Sequence, residues 1–98
     1  MIEFQKKVYN IVKRVPRGRI VTYGAVARAI NKPQAVRAVG NALNKNLFKS
    51  VPCHRVIRSD GRVGGFARGT KEKIKLLRRE GVKISGEKVE PPIILKNP

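Results

Sequence analysis

The chain has 98 residues, with 23 Lys and Arg against 6 Asp and Glu, a single His and a single Cys, and a formal charge of +17. One domain of this size lies near the lower limit at which a core carries a fold unaided; one cysteine cannot close an internal disulfide, and one Cys with one His cannot furnish a four-ligand zinc site, so no metal and no other cofactor is expected. The charge calls for a polyanionic partner, nucleic acid before membrane, because no apolar run of ~18 residues, amphipathic anchor or signal peptide is visible and the expected setting is cytoplasmic, with the thiol reduced.

Phe4, Val8, Ile11, Val12 and Val15 recur at helical spacing, which predicts an amphipathic helix over Ile2 to Val15, stopped by Pro16-Arg17-Gly18-Arg19. Ile20-Val21 is a short β-branched step, and Thr22 stands as N-cap of a helix over Tyr23 to Ile30. Asn31-Lys32-Pro33 breaks that helix, and Pro33 leads into a second one predicted over Gln34 to Asn44. Two short helices joined by a tight turn form a helix-turn-helix, whose second helix normally enters a DNA groove. In that second helix Ala35, Ala38, Gly40 and Ala42 are small, and Arg37 is the only charge before Lys45. Small residues let a helix backbone come close to another surface, either a narrow DNA groove or a neighbouring helix, and the sequence leaves both open.

The central stretch is Val51-Pro52-Cys53-His54-Arg55-Val56-Ile57. A thiolate is the reactive form of cysteine, and nearby cations or hydrogen-bond donors lower its pKa, which makes Cys53, His54 and the neighbouring arginines a reactive-thiol context. A free cysteine is also often a small buried hydrophobe, and adjacent residues on a strand point to opposite faces, so His54 meets Cys53 only if the backbone turns or a water intervenes. Pro52 is expected to end sheet pairing at this point. Asp60-Gly61 predicts a hairpin turn, and Gly64-Gly65-Phe66-Ala67-Arg68-Gly69 a glycine-rich loop able to approach a ligand. Thr70 reads as the N-cap of a last helix over Lys71 to Glu80, with Ile74 and Leu77 inward. Glu80 falls where the helix dipole disfavours an anion, and a partner such as His54 would explain it. Residues 82–98 read as a basic, partly ordered tail with a short strand around Val82-Ile84 and an apolar Ile93-Ile94-Leu95 patch. The fold class is therefore α+β: a single small, mainly helical, winged helix-turn-helix-like domain over residues 1–98, with a short β element at the central turn.

Pro52-Cys53-His54-Arg55-Val56, with Ala38-Val39-Gly40-Asn41-Ala42 before it and Gly64-Gly65-Phe66-Ala67 and Leu77-Arg78-Arg79-Glu80-Gly81 after it, resembles the DNA-binding, active-site domain of the O6-alkylguanine-DNA alkyltransferases. The resemblance runs from about Phe4 to Ile84. It implies minor-groove binding, rotation of an O6-alkylguanine out of double-stranded DNA, and one irreversible transfer of the alkyl group to Cys53, each molecule acting once and as a monomer. By position, His54 would activate Cys53 through a water, Glu80 would orient His54, and Asn46 would bridge the recognition helix and the active-site turn. Tyr23 would help protonate the departing guanine and Arg37 would fill the gap left by the flipped base. Thr22, Gln34, Ala35, Ala38, Asn41 and Arg55 complete the expected DNA face. Gly65, Phe66, Ala67 and Val56 form the expected base pocket, with the Cys53 and Val56 carbonyls and the Ala67 amide on the guanine. Non-specific binding to undamaged DNA is expected as well.

Two departures from the family pattern stand out. The separate N-terminal domain that many members carry is expected to be absent, and Phe66-Ala67 stands where some members have tyrosine and serine. Two rival readings remain. One is an alkyltransferase-like protein that recognises alkylated DNA without chemistry, a kind that resembles this chain in length but carries another residue, often tryptophan, in place of the cysteine. The other is a plain helix-turn-helix regulator or DNA-coating protein, which leaves the Cys-His motif without a purpose.

Overall fold

A computed structural model describes residues 3–46, 48–66, 68–90 and 94–95 of the chain. Helix α1 (Glu3–Val12) buries Val8, Tyr9, Ile11 and Val12, the apolar side of the predicted period. It ends before the predicted Val15, because Arg14 and Val15 donate to Ile11 and Val12 in tighter i→i−3 turns that lead to Pro16. Strand β1 (Ile20–Thr22) follows, then α2 (Tyr23–Ala29), capped as expected by the Thr22 hydroxyl accepting from the Ala25 amide at 3.0 Å. Helix α3 (Val36–Asn44) begins two residues later than predicted. Gln34 lies in a turn, and the Ala35 amide bonds back to Lys32 instead of entering the helix, so the connection is longer than the sequence suggested.

Strand β2 (Val56–Ile57) pairs parallel to β1, with Val21 opposite Val56, and β5 (Ile94–Leu95) pairs parallel to β1 on its other edge. This three-stranded sheet, in the order β2-β1-β5, divides the core. Val21 and Val56 point into a cluster with α1, α2 and α3, whereas Ile20 and Ile57 point into a second cluster with Val63, Leu77, Val82, Ile84 and Val89. Alternation along two short strands thus serves two separate cores. The second core is roofed by α4 (Thr70–Arg79) and an antiparallel hairpin of β3 (Ile84–Ser85) and β4 (Lys88–Val89).

The last third of the chain differs from expectation in three places. The Asp60-Gly61 turn forms, with the Arg58 amide bonded to the Arg62 carbonyl, but the returning residues pair with β4 through Arg62 and Lys88. Thr70 is the first helical residue of α4 and its hydroxyl bonds the Gly64 carbonyl at 3.4 Å, so Gly69 stands at the N-cap. Within the predicted tail, a hairpin and a sheet-edge strand replace a single strand around Val82; Ile93 lies outside the described residues. No described helix is long and apolar enough to cross a membrane.

Candidate active site

Cys53 opens a single 3-10 turn, Cys53–Arg55, with Pro52 as its N-cap and β2 directly after it. The role expected of Pro52 changes accordingly: it begins a helical turn ahead of a strand, and does not end one. The turn brings the adjacent side chains into one neighbourhood, although no direct Cys53–His54 hydrogen bond exists among the described residues. Cys53 is buried, 8% exposed, at the floor of a cleft of about 370 Å³ whose walls include Asn46, Phe48, His54 and Phe66.

Asn46, two residues past α3, holds the turn to that helix. Its Nδ2 donates to the Cys53 sulfur at 2.8 Å and to the Val51 and Phe48 carbonyls at 3.1 Å each, and its Oδ1 accepts from the Phe48 amide. Burial pushes the Cys53 thiol up to about 11, against the opposing effects of the Asn46 bond, a backbone bond and the Lys73 charge. The lowering expected from nearby donors and cations comes from Asn46 and Lys73, not from His54 or the arginines, and desolvation of the thiolate outweighs it. Cys53 rests as a thiol and needs a base.

Glu80 is the C-cap of α4, where it is fixed by a Schellman motif: the Val82 amide bonds the Leu77 carbonyl and the Gly81 amide bonds that of Arg78, each at 3.0 Å. Gly81 supplies the left-handed φ of 91° that this motif requires. From there the carboxylate meets His54 Nε2 at 3.0 Å and Arg55, which donates from Nε to Oε1 at 2.9 Å and from NH2 to Oε2 at 2.7 Å. Burial alone would raise the Glu80 carboxyl, but the bonds to Arg55 and then His54 hold it at about 2. An ionised carboxylate can only accept, so Nε2 of His54 carries the proton and Nδ1 is left as the lone-pair nitrogen of the neutral ring. Burial lowers the His54 pKa, the bond and charge of Glu80 raise it, and the Arg55 and Lys73 cations lower it; the net direction is down.

The sequence reading missed Lys73. It is fully buried, and its ammonium donates to the Val56 carbonyl at 2.6 Å, the Gly65 carbonyl at 3.1 Å and the Tyr23 hydroxyl at 3.3 Å. Three N–H groups meet three acceptors. The Tyr23 hydroxyl in turn donates to the Gly65 carbonyl at 3.4 Å, so Tyr23, Val56 and the glycine loop gather around one cation. Gly64 packs its backbone there: a Cβ would come 3.1 Å from Arg58 and 3.5 Å from the Tyr23 ring. The available signal was positional, since Lys73 lies four residues before Leu77 and seven before Glu80 on one helix face. Phe66 packs against the first core, and Ala67 lies outside the described residues, so the expectation for its amide does too.

On the helix-turn-helix, Gln34, Arg37, Ala38 and Asn41 are exposed and Ala35 is half-buried, which leaves the predicted DNA face open. Thr22 spends its hydroxyl oxygen on the α2 cap. Arg55 is the exception among the predicted DNA contacts. Its guanidinium is turned inward onto Glu80 and the Val15 carbonyl, with the side chain only 16% exposed. A Cβ on Gly40 would meet nothing within 4 Å, so packing inside the protein does not require the smallness of that position. No group of three His, Cys, Asp or Glu side chains that could hold a metal exists among the described residues.

The family described as 6-O-methylguanine DNA methyltransferase, DNA binding domain, matches residues 3–82. The chain belongs to this family. It is 47% identical to the methylated-DNA–protein-cysteine methyltransferase of Methanothermobacter thermautotrophicus, over 87% of this chain and 48% of that protein. It is 46% identical to the bifunctional transcriptional activator and DNA repair enzyme Ada of Escherichia coli, over 79% of this chain and 22% of Ada. The chain thus spans about half the length of the methyltransferase, and less of Ada. Among solved structures, the methyltransferase of Pyrococcus kodakaraensis superposes with a TM-score of 0.75 at 45% identity, covering 84% of this chain and 48% of that one. Schizosaccharomyces pombe Atl1, solved with damaged DNA containing O6-carboxymethylguanine, superposes at 0.79 with 38% identity, covering 87% of this chain and 82% of Atl1. The α+β class expected from the sequence is the architecture these family structures share.

Proposed function

We propose that this chain repairs O6-alkylguanine in double-stranded DNA by moving the alkyl group onto Cys53, once per molecule. The observation that carries the reading is the complete nucleophile set: a thiol at the floor of a cleft, Asn46 on its sulfur, and a neutral His54 oriented by Glu80. In the proposed step the thiol proton leaves through a water to His54 Nδ1, and the sulfur forms a bond to the alkyl carbon. The carbon–O6 bond breaks with its electron pair staying on the guanine. The Tyr23 hydroxyl gives the purine anion a proton and is stabilised by Lys73 beside it. The exposed Arg37 fills the place of the rotated base, and the small residues of α3 let its backbone enter the minor groove. A high thiol pKa in the resting protein suits this order, because the base is needed only when substrate occupies the cleft.

A second reading, recognition of the lesion without transfer, is favoured by the overlap with most of the Atl1 chain. It leaves Cys53 and its polar partners without a purpose. Intact-protein mass after mixing with a duplex carrying one O6-methylguanine separates the two. A gain of about 14 Da on the wild type and none on Cys53→Ala is expected, since only a covalent acceptor retains the methylene unit. Selective binding with no gain would make this a recognition protein; neither selectivity nor gain would leave a basic DNA binder.

A further inference from the structure

Arg55 sits directly after the Cys53-His54 pair, yet its guanidinium faces neither the cleft nor solvent. It spans two elements: one nitrogen donates to the Val15 carbonyl at 2.8 Å, at the end of the first helical segment, and two others close on both oxygens of Glu80. The Glu80 oxygen that takes the shorter of those two bonds, 2.7 Å, is the one His54 Nε2 also meets at 3.0 Å. A carboxylate held by one donor can rotate; a guanidinium fork fixes both oxygens in a plane, which an ammonium cannot do. The fork also changes what His54 experiences. A bare buried carboxylate stabilises an imidazolium, whereas one already neutralised by a guanidinium offers an oriented acceptor with little net charge. The charges that act on the ring are Glu80 and Lys73 from α4 and Arg55 from its own turn, two cations against one anion, and Lys49 and Arg68 line the same cleft.

We propose that Arg55 is a positioning residue that balances the Glu80 carboxylate, so that His54 is both oriented by it and kept a neutral base. The connection to alkyl transfer rests on the function proposed above; the effect on His54 does not. Because His54 is the only histidine, its ring resonances are free of overlap with others, and magnetic resonance titration reads it directly. The wild-type ring is expected to be neutral at pH 7 with its proton on Nε2; a protonated ring at that pH overturns the proposal whether or not any variant folds. In Arg55→Gln the midpoint should rise by about one pH unit, the scale of losing one adjacent cation. Arg55→Lys keeps a cation and should stay near wild type. A midpoint that is unmoved or lower in folded Arg55→Gln overturns the proposal. For alkyl transfer, the acid limb should move with the ring, so that Arg55→Gln loses more rate at pH 6 than at pH 8, relative to wild type, by less than the roughly tenfold that a one-unit shift gives far below both midpoints. Equal losses at both pH values count against the charge-balancing role, and a wild type without transfer overturns the function proposed above while the titration still judges Arg55.

Discussion

A lysine with no exposed surface is the least expected residue of the site, and its chemistry has a measurable consequence. Burial drives the Lys73 pKa from 10.5 down to about 8, partly opposed by Cys53. Between those values the unfolded chain binds more protons than the folded one, so stability rises with pH in that window, and below pH 8 the full penalty of a desolvated ammonium is present. Cys53 has the opposite sign: its folded pKa of about 11 lies above the ordinary 9.0, and stability falls as pH passes between them. The two masks overlap in the wild type. In Cys53→Ala, the unfolding free energy should therefore climb by about 2 kcal/mol from pH 8 to pH 10. Adding Lys73→Met should remove the climb, and urea titrations at half-unit intervals would read both. The same ammonium binds the carbonyls of Val56 and Gly65 and the Tyr23 hydroxyl, the groups from which the proposed base pocket is built.

At the scale of elements, Gly40 separates the two purposes that small residues in a helix can serve. It sits in the interior of α3 with open space where a Cβ would go. Gly40→Ala should then stabilise the protein by about 0.5–1 kcal/mol, because alanine gives up less backbone entropy on entering a helix. If α3 enters the groove as proposed above, the added methyl takes up space at that approach, so affinity for duplex DNA should fall while the melting temperature rises. A rise in both would remove α3 from the interface. The helices themselves were legible because each carries a clear period and a local stop or cap: Thr22 before α2, Gly81 after α4. The parallel sheet was not, since β1, β2 and β5 are two or three residues each and their pairing joins positions as distant as Val21 and Leu95. Two-residue strands show no alternation to read. The site divides along the same line. Cys53, His54 and Glu80 announced themselves by residue type and an awkward helix end, whereas Lys73 and Arg55 look like any of the 23 basic residues until the fold turns them inward.

For the whole molecule, a formal charge of +17 on 98 residues makes salt act on folding and on binding with opposite signs. Self-repulsion among so many cations opposes compaction, and added salt screens it, so the melting temperature should rise between about 50 and 200 mM NaCl. The Glu80 network moves little under those conditions because its partners are mostly buried. Binding to undamaged duplex should weaken over the same range by roughly a thousandfold if about six phosphates are neutralised, since each contact returns a condensed counterion that salt competes to keep. Measuring both on one preparation excludes the trivial account in which affinity is lost because the protein unfolds. A flat affinity would remove DNA as the partner of this charge. A steep affinity with a falling melting temperature would mean that attractive surface pairs outweigh the repulsion, which the three described ion pairs, two of them sharing Glu80, make an improbable balance.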